Sequence, residues 1–433
     1  MRVFSGLSTV LDLAHPELIH HHKVVAYISL NVAREMNLEP SAQEELFLAA
    51  LIHDLGILSL RESRDIYQIE AIDPHRHAFI AYTLLNEVPF IKKRVPNIAN
   101  IILYHHAPWQ AMENPAIRTA LLKAITRYTK VDISITSYIL SLADKVSLLI
   151  QPDKFILHQV DCIRDRIEQI SGTLLPKEAV EAFLEISRKE SFWLALTPSY
   201  IEDFVAKEIA KTSLISVGED DFLELSRFIC DIVDLHSPFT AIHSHGVSAV
   251  AEKIGELLGF SGEELRSLRI AGYLHDLGKI AVPEDVLEKN DKLTSEEFAV
   301  VKAHPFHTYM AIMEMGGCGE VLNWASFHHE NLDGSGYPFH LREEELDLGA
   351  RIMRVADVFS SLREYRPYRS VMARPDILSI LRKMADDRAI DGNIVSVIEK
   401  HYEEIDAVFL QEQFTNHQRY QRLWREIAFV TMS

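Results

Sequence analysis

The chain has 433 residues, of which 48% are hydrophobic and 25% are charged, and its formal net charge at pH 7 is −19. This length suits two or three domains that each bury a core, and the composition is that of a folded globular protein rather than a disordered or fibrous one. Proteins that coat nucleic acids hold the phosphate backbone with basic stripes. This acidic chain has no such stripe, so binding of a nucleic-acid polymer is not expected.

The start of the chain carries no targeting pattern. The first twenty residues lack a basic region followed by an apolar core, and no apolar run approaches the roughly 18 residues that a membrane span needs. We therefore predict a cytoplasmic protein that does not bind a membrane. The three cysteines, Cys162, Cys230 and Cys318, are too few and too scattered for a disulfide framework or a thiolate zinc site, so we interpret them as buried thiols.

Apolar residues recur at three- and four-residue spacing along almost the whole chain, which predicts an all-α protein. Helix starts are predicted where a hydroxyl stands three residues before a carboxylate, the pattern of a capping box. These pairs are Ser41 with Glu44, Ser261 with Glu264, and Thr294 with Glu297.

One polar stretch predicts a linker near the middle of the chain. Residues 212–221 contain two serines, a glycine and three acidic residues, which is a composition typical of loops. We therefore expect two domains, residues 1–212 and residues 213–433.

A histidine–aspartate pair occurs twice. Leu-Ile-His-Asp-Leu-Gly at 51–56 returns as Tyr-Leu-His-Asp-Leu-Gly at 273–278, 222 residues later. Other ligand-type residues match in the same order: His21 with His243, His77 with His304, His105 and His106 with His328 and His329, and Asp144 with Asp357. A lone histidine on an apolar helix face is usually structural, but seven ligand-type residues repeated in order predict two metal sites.

The expected chemistry follows from helix geometry. Neighbouring helical residues diverge by roughly 100°, so His275 and Asp276 would serve adjacent ions, which the Asp276 carboxylate could bridge. Imidazole and carboxylate ligands without cysteine favour iron, manganese or another borderline divalent metal. Two ions about 4 Å apart can activate a bridging water and clamp both oxygens of a reacting phosphate ester. We therefore predict hydrolysis of a phosphoester.

The C-terminal half resembles an HD-GYP domain, a subgroup of the HD phosphohydrolases, from about Asp234 to Arg369. The matching motifs are, in chain order, His243-Ser244, His275-Asp276-Leu277-Gly278-Lys279, His304-Pro305, His328-His329-Glu330-Asn331, Asp333-Gly334-Ser335-Gly336-Tyr337-Pro338, Ala356-Asp357 and Arg366-Pro367-Tyr368-Arg369.

This resemblance implies an all-α phosphodiesterase, here two tandem HD-type helical domains. Such an enzyme opens cyclic di-GMP or a related cyclic dinucleotide, such as 3′,3′-cyclic GMP-AMP, to a linear dinucleotide by attack of a metal-bridging hydroxide. The implied ligands of two divalent ions, most often Fe or Mn, are His243, His275, Asp276, His304, His328, His329 and Asp357.

The resemblance also implies residues that meet the substrate. The implied catalytic residues are Asp276 and Lys279. Because Lys279 follows His275 by four residues, it is expected on the same helix face, where it would point at the scissile phosphate. Arg366 and Arg369 would hold phosphate oxygens by forked hydrogen bonds, and Tyr337 would shape a loop that faces the substrate. Simpler interpretations stay open. Lys279 could be a solvated helix end, and the two arginines could form ion pairs with Glu343-Glu344-Glu345. Glu330 and Asn331 could only support the histidine pair.

One departure from the family concerns metal number. Some HD-GYP proteins carry a glutamate four residues before the first ligand histidine, where it helps to bind a third metal. Phe239 stands at that position here and cannot act as a ligand. We therefore expect a binuclear centre in the C-terminal half.

The N-terminal half resembles the wider HD superfamily but lacks the GYP motif. Ile57 stands where the other half has its lysine, and Asp153 and Ile156 stand where it has arginines. The half nevertheless keeps a possible second metal site formed by His21, His53, Asp54, His77, His105, His106 and Asp144. The neighbours His20, His22 and His75 leave its register open by one or two residues.

Three interpretations of the N-terminal half compete. It could be a regulatory or dimerising domain that has kept a metal site, an HD phosphohydrolase for a different nucleotide, or a folded remnant. For the whole chain, the alternatives to a phosphodiesterase are a cyclic dinucleotide receptor that signals through a partner protein without turnover, and a hydrolase of a noncyclic nucleotide. The sequence leaves open the preferred dinucleotide, the metal, the product length and any homodimer.

Overall fold

We describe the protein from a computed structural model, for residues 2–14, 20–59, 74–110, 133–211, 217–236, 243–289, 291–317, 319–364 and 372–431. The chain divides into two compact units: unit 1 is Met1–Val217 with Leu423–Ser433, and unit 2 is Gly218–Arg422. The regular elements within these ranges are all helices, and two isolated β-bridges there extend into no strand. The all-α fold class is therefore confirmed. Within the same ranges, no helix is long and apolar enough to cross a bilayer.

Unit 1 is built from eleven α-helices within the described ranges. They are α1 (Arg2–Ala14), α2 (His21–Glu35), α3 (Pro40–Leu51), α4 (Pro74–Leu85), α5 (Pro89–Arg94), α6 (Ile98–Leu103), α7 (Ile135–Leu149), α8 (Val160–Gln169), α9 (Lys177–Ile186), α10 (Glu190–Leu194) and α11 (Pro198–Lys211). Short 3₁₀ turns occupy Leu55–Ser59 and Ile156–His158.

Within the described ranges, unit 2 contains ten further α-helices and most of an eleventh, the last of the chain, whose residues from Leu423 onward belong to unit 1. They are α12 (Glu219–His236), α13 (His243–Leu257), α14 (Gly262–Leu274), α15 (Glu284–Leu287), α16 (Ser295–Val301), α17 (His304–Glu314), α18 (Glu320–Ser326), α19 (Leu348–Arg363), α20 (Arg374–Asp386), α21 (Gly392–Lys400) and α22 (Tyr402–Thr431). Two 3₁₀ turns lie at Leu277–Ala281 and Glu343–Glu345.

The two units pack their helices in the same way around a central helix. In unit 1, α2 packs against α3 and α7, and in unit 2, α13 packs against α14 and α19. Both central helices are buried along most of their length, as expected for helices that are surrounded by others. The central helix begins at His21 or His243, and its neighbours end at the His-Asp pair or carry Asp144 or Asp357. This arrangement brings side chains that are distant in sequence to one point in each unit.

The predicted helix starts are confirmed in unit 2 and wrong in unit 1. Ser261 and Thr294 are N-caps of complete capping boxes with Glu264 and Glu297. Helix α3 instead begins at Pro40, and its N-cap, Glu39, makes no side-chain cap hydrogen bond. Proline is favoured at the first helical position because its fixed φ suits a helix and its missing N–H would have no partner there. The helix therefore starts before Ser41 could cap it.

The prediction of buried thiols is half right for the two cysteines that the structure describes. Cys230 is buried in α12, whereas Cys162 is exposed. Helix α8 turns Ile163 and Ile167 inward, which leaves Cys162 on its solvent face. Cys318 lies outside the described residues.

Candidate metal centres

In unit 2, six predicted metal ligands surround the carboxylate of Asp276. One side faces Oδ2, with His275 Nε2 at 3.2 Å and His243 Nε2 at 4.0 Å. The other side faces Oδ1, with His304 Nε2 at 3.5 Å and His328 Nε2 at 3.8 Å. Asp357 Oδ1 lies 3.2 Å from His243 Nε2, and His329 completes a group of potential ligands with His304 and His328. The structure therefore brings all seven residues together, with one carboxylate oxygen towards each set of imidazoles.

Backbone carbonyls orient three of these histidines. The Nδ1 atoms of His275, His304 and His328 lie 2.7–2.8 Å from the carbonyl oxygens of Gly272, Val301 and Ala325, each three residues earlier in the chain. A carbonyl only accepts a hydrogen bond, so each Nδ1 carries the proton and each Nε2 presents a lone pair. All three lone pairs are directed into the cluster.

The environment keeps the imidazoles around Asp276 Oδ1 neutral. Burial lowers the pKa of His304 to about 4, and it lowers the pKa values of His328 and His329 well below their usual range. Burial alone would raise the pKa of Asp276, but the charges of His275 and Lys279 hold it well below its usual range. At neutral pH the imidazoles of His304, His328 and His329 are therefore neutral and Asp276 is ionised, which are the protonation states that bind a metal. His243 differs: burial alone would lower its pKa, but Asp357 and Glu364 raise it to about 10.

The donor set fits divalent metal ions. Among the residues that the structure describes, the buried atoms His275 Nε2 and Asp276 Oδ1 have no hydrogen-bond partner. Leaving such atoms without a partner is costly unless a ligand satisfies them. Two directed sets of nitrogen and oxygen donors without sulfur agree with the borderline metals expected from the sequence.

Lys279 lies beside the centre, but it is positioned by a 3₁₀ turn and not by the predicted helix. Helix α14 ends at Leu274, His275 is its C-cap, and Lys279 lies in the following 3₁₀ turn. The expected shared helix face with His275 is therefore wrong. Lys279 Nζ instead donates to Asp276 Oδ2 at 2.6 Å, and its side chain is 21% exposed. The interpretation of Lys279 as a solvated helix end is also wrong.

A glycine sets the contact between the His-Asp turn and the next ligand helix. A Cβ atom on Gly278 would lie 2.0 Å from the carbonyl oxygen of His304, and one on Gly56 would lie 2.0 Å from that of His77. Only glycine allows the two backbones to approach so closely. Sequence reasoning did not assign this role, although the glycine follows the His-Asp pair at the same interval in both units.

The loop that carries Tyr337 packs against the histidine pair. The Tyr337 ring stacks on His329 with centroids 4.8 Å apart. Glu330 accepts hydrogen bonds from the backbone N–H groups of Phe339 and Leu341, at 2.7 and 3.0 Å, so it braces the loop rather than the histidines. Asn331 accepts a hydrogen bond from Arg354 Nη2 at 3.1 Å.

Arg354 and Glu364 are residues of this site that sequence reasoning missed. Arg354 Nη1 donates to the carbonyl of His328, and Glu364 Oε2 lies 3.5 Å from His243 Nδ1. The only sequence indication was the position of Arg354 one helical turn before Asp357, on a helix already expected to face the metals.

Unit 1 gathers the matching residues around Asp54. His53 Nε2 and His21 Nε2 lie 3.3 and 3.6 Å from Asp54 Oδ2, and His77 Nε2 lies 3.6 Å from Oδ1. Asp144 Oδ1 is 3.4 Å from His21 Nε2, and His77, His105 and His106 form a second group of potential ligands. The seven predicted residues of this half are therefore together as well. Among the described residues, the buried atoms His53 Nε2, His105 Nε2 and Asp144 Oδ2 have no hydrogen-bond partner, so this donor set also fits a metal.

The neighbouring histidines of unit 1 differ in their partners. His22 belongs to a group of potential ligands with His53 and Asp54. His20 Nδ1 instead lies 3.0 Å from Glu202 Oε1. The His75 ring lies at the edge of the cluster, with its centroid 6.5 Å from that of His106.

Some predicted residues lie outside the described part of the chain. Arg366 and Arg369, proposed to grip phosphate, fall between residues 364 and 372, and Phe239 falls between residues 236 and 243. In the acidic run Glu343-Glu344-Glu345, the alternative partner of the two arginines, Glu343 accepts a hydrogen bond from Arg388.

Comparison with known families assigns both halves to the same type of domain. Residues 18–149 and residues 227–394 each match an HD domain. These two segments contain all fourteen predicted metal ligands.

Two similar proteins of Vibrio cholerae serotype O1 match along nearly the whole chain. The 3′3′-cGAMP-specific phosphodiesterase 1 is 27% identical over 428 residues, which cover 96% of this chain and 94% of that protein. The 3′3′-cGAMP-specific phosphodiesterase 3 is 25% identical over 430 residues, which cover 91% of this chain and 93% of that protein. The cyclic di-GMP phosphodiesterase response regulator RpfG of Xanthomonas campestris pv. campestris is 36% identical over 188 residues, 42% of this chain and 49% of that protein.

A solved structure supports the fold over the same span. The crystal structure of the V. cholerae cyclic GMP-AMP specific phosphodiesterase V-cGAP3 superposes with a TM-score of 0.60 at 20% identity, covering 93% of this chain and 97% of that chain. The tandem helical architecture is therefore shared along almost the whole length.

Proposed function

Because this chain belongs to the HD superfamily, with an HD domain in each half and the HD-GYP motifs in the second, we propose that it hydrolyses a cyclic dinucleotide to a linear dinucleotide. The observation that carries the proposal is the arrangement around Asp276. Two sets of imidazoles face its two oxygens, and a lysine that is partly open to solvent lies beside it. This arrangement combines ligands for adjacent metals with a partly exposed cation that could meet a phosphate.

The metal centre of unit 2 is the first part of the proposal. HD domains are metal-dependent, and the described residues contain suitable ligand clusters. We propose two Fe or Mn ions held by His243, His275, Asp276, His304, His328, His329 and Asp357. Such ions supply Lewis acidity, which lowers the pKa of a water and neutralises charge on phosphate oxygens.

The residues around the centre would bind and orient the substrate. Lys279 is bonded to Asp276 and 21% exposed, so its ammonium group can turn towards a phosphate without crossing the core. There it would stabilise negative charge that develops during hydrolysis. Tyr337, stacked on His329, lies where a nucleotide that reaches the metals would pass. We keep Arg366 and Arg369 as proposed phosphate ligands on the basis of their motif.

The mixed dinucleotide 3′,3′-cyclic GMP-AMP is the substrate that we favour. Two relatives that match both halves of this chain carry that specificity in their names, whereas the cyclic di-GMP phosphodiesterase RpfG matches less than half of it. We base the preference on the two relatives that match nearly the whole chain. Cyclic di-GMP is the second candidate.

Unit 1 is proposed to have a regulatory role. It retains a ligand cluster around Asp54, but Ile57 stands in place of the lysine and the GYP loop is missing. We propose that residues 1–212 form a metal-holding regulatory or dimerising domain and that residues 213–433 form the phosphodiesterase. We also propose that the protein is located in the cytoplasm and that it forms a homodimer or binds a signalling partner.

The test is a comparison of substrates with purified full-length protein. Cyclic GMP-AMP, cyclic di-GMP and cyclic di-AMP are incubated with the wild type and with His275→Ala/Asp276→Ala, and the products are separated by chromatography. We expect the wild type to convert cyclic GMP-AMP fastest and the variant to convert none. Tight binding of a dinucleotide without product would support the receptor instead, and turnover of noncyclic nucleotides alone would support the other hydrolase.

A further inference from the structure

Helices α1 and α12 each carry a buried aspartate that contacts the residue following the first predicted ligand of its unit. Asp12 and Asp234 are 222 residues apart, the same interval as His53 and His275, and both are buried. The side chain that each aspartate holds is different. Asp234 Oδ1 accepts a hydrogen bond from Ser244 Oγ at 3.2 Å, whereas Asp12 Oδ1 lies 2.5 Å from His22 Nδ1. The matched aspartate thus holds a hydroxyl in unit 2 and an imidazole in unit 1.

We propose that His22 is an additional metal ligand of the unit 1 centre and that Asp12 is its positioning residue. The inference rests on the metal site proposed for unit 1 and adds an eighth donor that has no counterpart in unit 2. Serine stands at the matching position of unit 2, and the Ser244 hydroxyl is directed to Asp234, away from the His-Asp pair.

The geometry places the Nε2 side of the His22 ring towards the centre. Asp12 Oδ1 lies against Nδ1, so Nε2 is the ring nitrogen that faces the His-Asp pair. His22 Nε2 lies 3.6 Å from Asp54 Oδ2, and His53 Nε2 lies 3.3 Å from the same oxygen. Two donors that each lie roughly 2.1 Å from one ion are roughly 3.0–3.4 Å apart at tetrahedral or octahedral angles. Small side-chain shifts would therefore let these three donors share an ion.

The surroundings of the two carboxylates support a division of roles. In unit 2, Lys279 Nζ bonds to Asp276 Oδ2, and the lysine is partly exposed. Unit 1 has Ile57 at the position of this lysine. There, His22 Nε2 instead faces the matching carboxylate oxygen, Asp54 Oδ2. The His22 side chain is only 2% exposed and is tied to Asp12, so it cannot turn towards a bound phosphate.

An added ligand changes what a metal can do. Catalytic metal sites keep a coordination position open for water or substrate, whereas structural sites fill their positions with protein ligands. An eighth donor, together with the missing lysine, makes the unit 1 centre more closed than the unit 2 centre. We therefore assign it a tightly held ion that stabilises or regulates the chain and does not act on a phosphate ester.

The experiment measures metal binding by full-length chains in which the unit 2 centre is disabled by His275→Ala/Asp276→Ala. Chelator-treated protein is titrated with Mn²⁺, and bound metal is counted by mass spectrometry after gel filtration. His22→Ser, which introduces the residue found in unit 2, is expected to weaken Mn²⁺ binding by at least about 10- to 100-fold, the effect typical of losing even an outer partner of a ligand. His20→Ala is the matched control: His20 lies beside His21 but contacts Glu202, so Mn²⁺ affinity is expected to stay unchanged.

Asp12→Asn tests the positioning role with a nearly isosteric change. We expect about tenfold weaker Mn²⁺ binding, because the amide no longer attracts the Nδ1 proton as a carboxylate does. Mn²⁺-dependent shifts of Tm provide a second measurement that also reveals any failure to fold. Unchanged Mn²⁺ affinity in folded His22→Ser overturns the proposal, and so does an equal loss in His20→Ala. Failure of the wild type to hydrolyse any cyclic dinucleotide would overturn the proposed function and leave this metal result standing.

Discussion

The two units gather the matching seven ligand-type side chains around a central carboxylate, but each carboxylate has one further partner, and that partner differs between the units. Asp276 meets a partly exposed lysine, and Asp54 meets a buried histidine. The ligand set is therefore compatible with two quite different sites. What separates them is whether a partly exposed cation lies beside the proposed metal centre.

The largest difference between the units is expected when each His-Asp pair is removed. His275→Ala/Asp276→Ala should reduce the initial rate of cyclic GMP-AMP hydrolysis by at least about 10³-fold, or about 4 kcal/mol of activation free energy, because Asp276 faces both imidazole sets. His53→Ala/Asp54→Ala should leave the rate within about tenfold of the wild type, since unit 1 lacks the lysine. Equal losses would break the comparison, because both units would then contribute directly to turnover.

Exchanging the lysine sharpens the comparison. Lys279→Ile gives unit 2 the residue that unit 1 has at the matching position, and kcat should fall by about 10²–10³-fold, as when one donor that stabilises transition-state charge is lost. Metal content should not change, because an ammonium group is not a ligand. The matched control, Ile57→Lys, should give no new activity in a chain that also carries His275→Ala/Asp276→Ala. A loss of bound metal in Lys279→Ile would instead assign the lysine a structural role.

The GYP loop offers a smaller test. Glu330 accepts the N–H groups of Phe339 and Leu341, whereas Ala107 stands at the matching position of unit 1. Loss of these charge-assisted bonds in Glu330→Ala should raise KM about tenfold, with a smaller change in kcat, because the loop is proposed to bind substrate and contains no proposed metal ligand. Exposed Glu344→Ala is the control. A fall in kcat with unchanged KM would contradict this role.

The last prediction concerns the stability of a feature that the units share. Gly278→Ala and Gly56→Ala each place a Cβ 2.0 Å from a carbonyl oxygen, so each should lower the free energy of unfolding by about 1–3 kcal/mol. Gly262→Ala is the control, since a Cβ there meets nothing within 4 Å, and its stability should stay equal or rise slightly. Thermal unfolding measures all three. A neutral Gly56→Ala would show that unit 1 has relaxed the contact that unit 2 needs.

The sequence predicted the ligand clusters because they depend on order. His77 and His304 could be paired without knowing the loops between them, and the structure brings both to their carboxylates. The helical spacing of apolar residues was likewise enough for the fold class. The order of the ligand-type residues can be recognised in both halves even where loop insertions change the spacing between them.

Other features depend on contacts that spacing does not record. The expected helix face for Lys279 assumed that α14 continues past His275, but the chain turns there so that Gly278 can pass close to His304. The role of His22 depends on Asp12, which belongs to a different helix. Each of these outcomes is decided by packing between elements, which a local pattern does not contain.

The carbonyl bonds to histidine Nδ1 bear on how the protein is assembled. His275, His304 and His328 are each held by the backbone of their own turn, and His53 and His105 are held in the same way by Ala50 and Ile102. Once the helices have formed, these rings already point inward, so little rearrangement is left for an arriving ion to induce. A metal ion would therefore meet a site whose ligands are already oriented, and loading could follow folding. The identity of the ions would then follow the supply of metals at the time of loading.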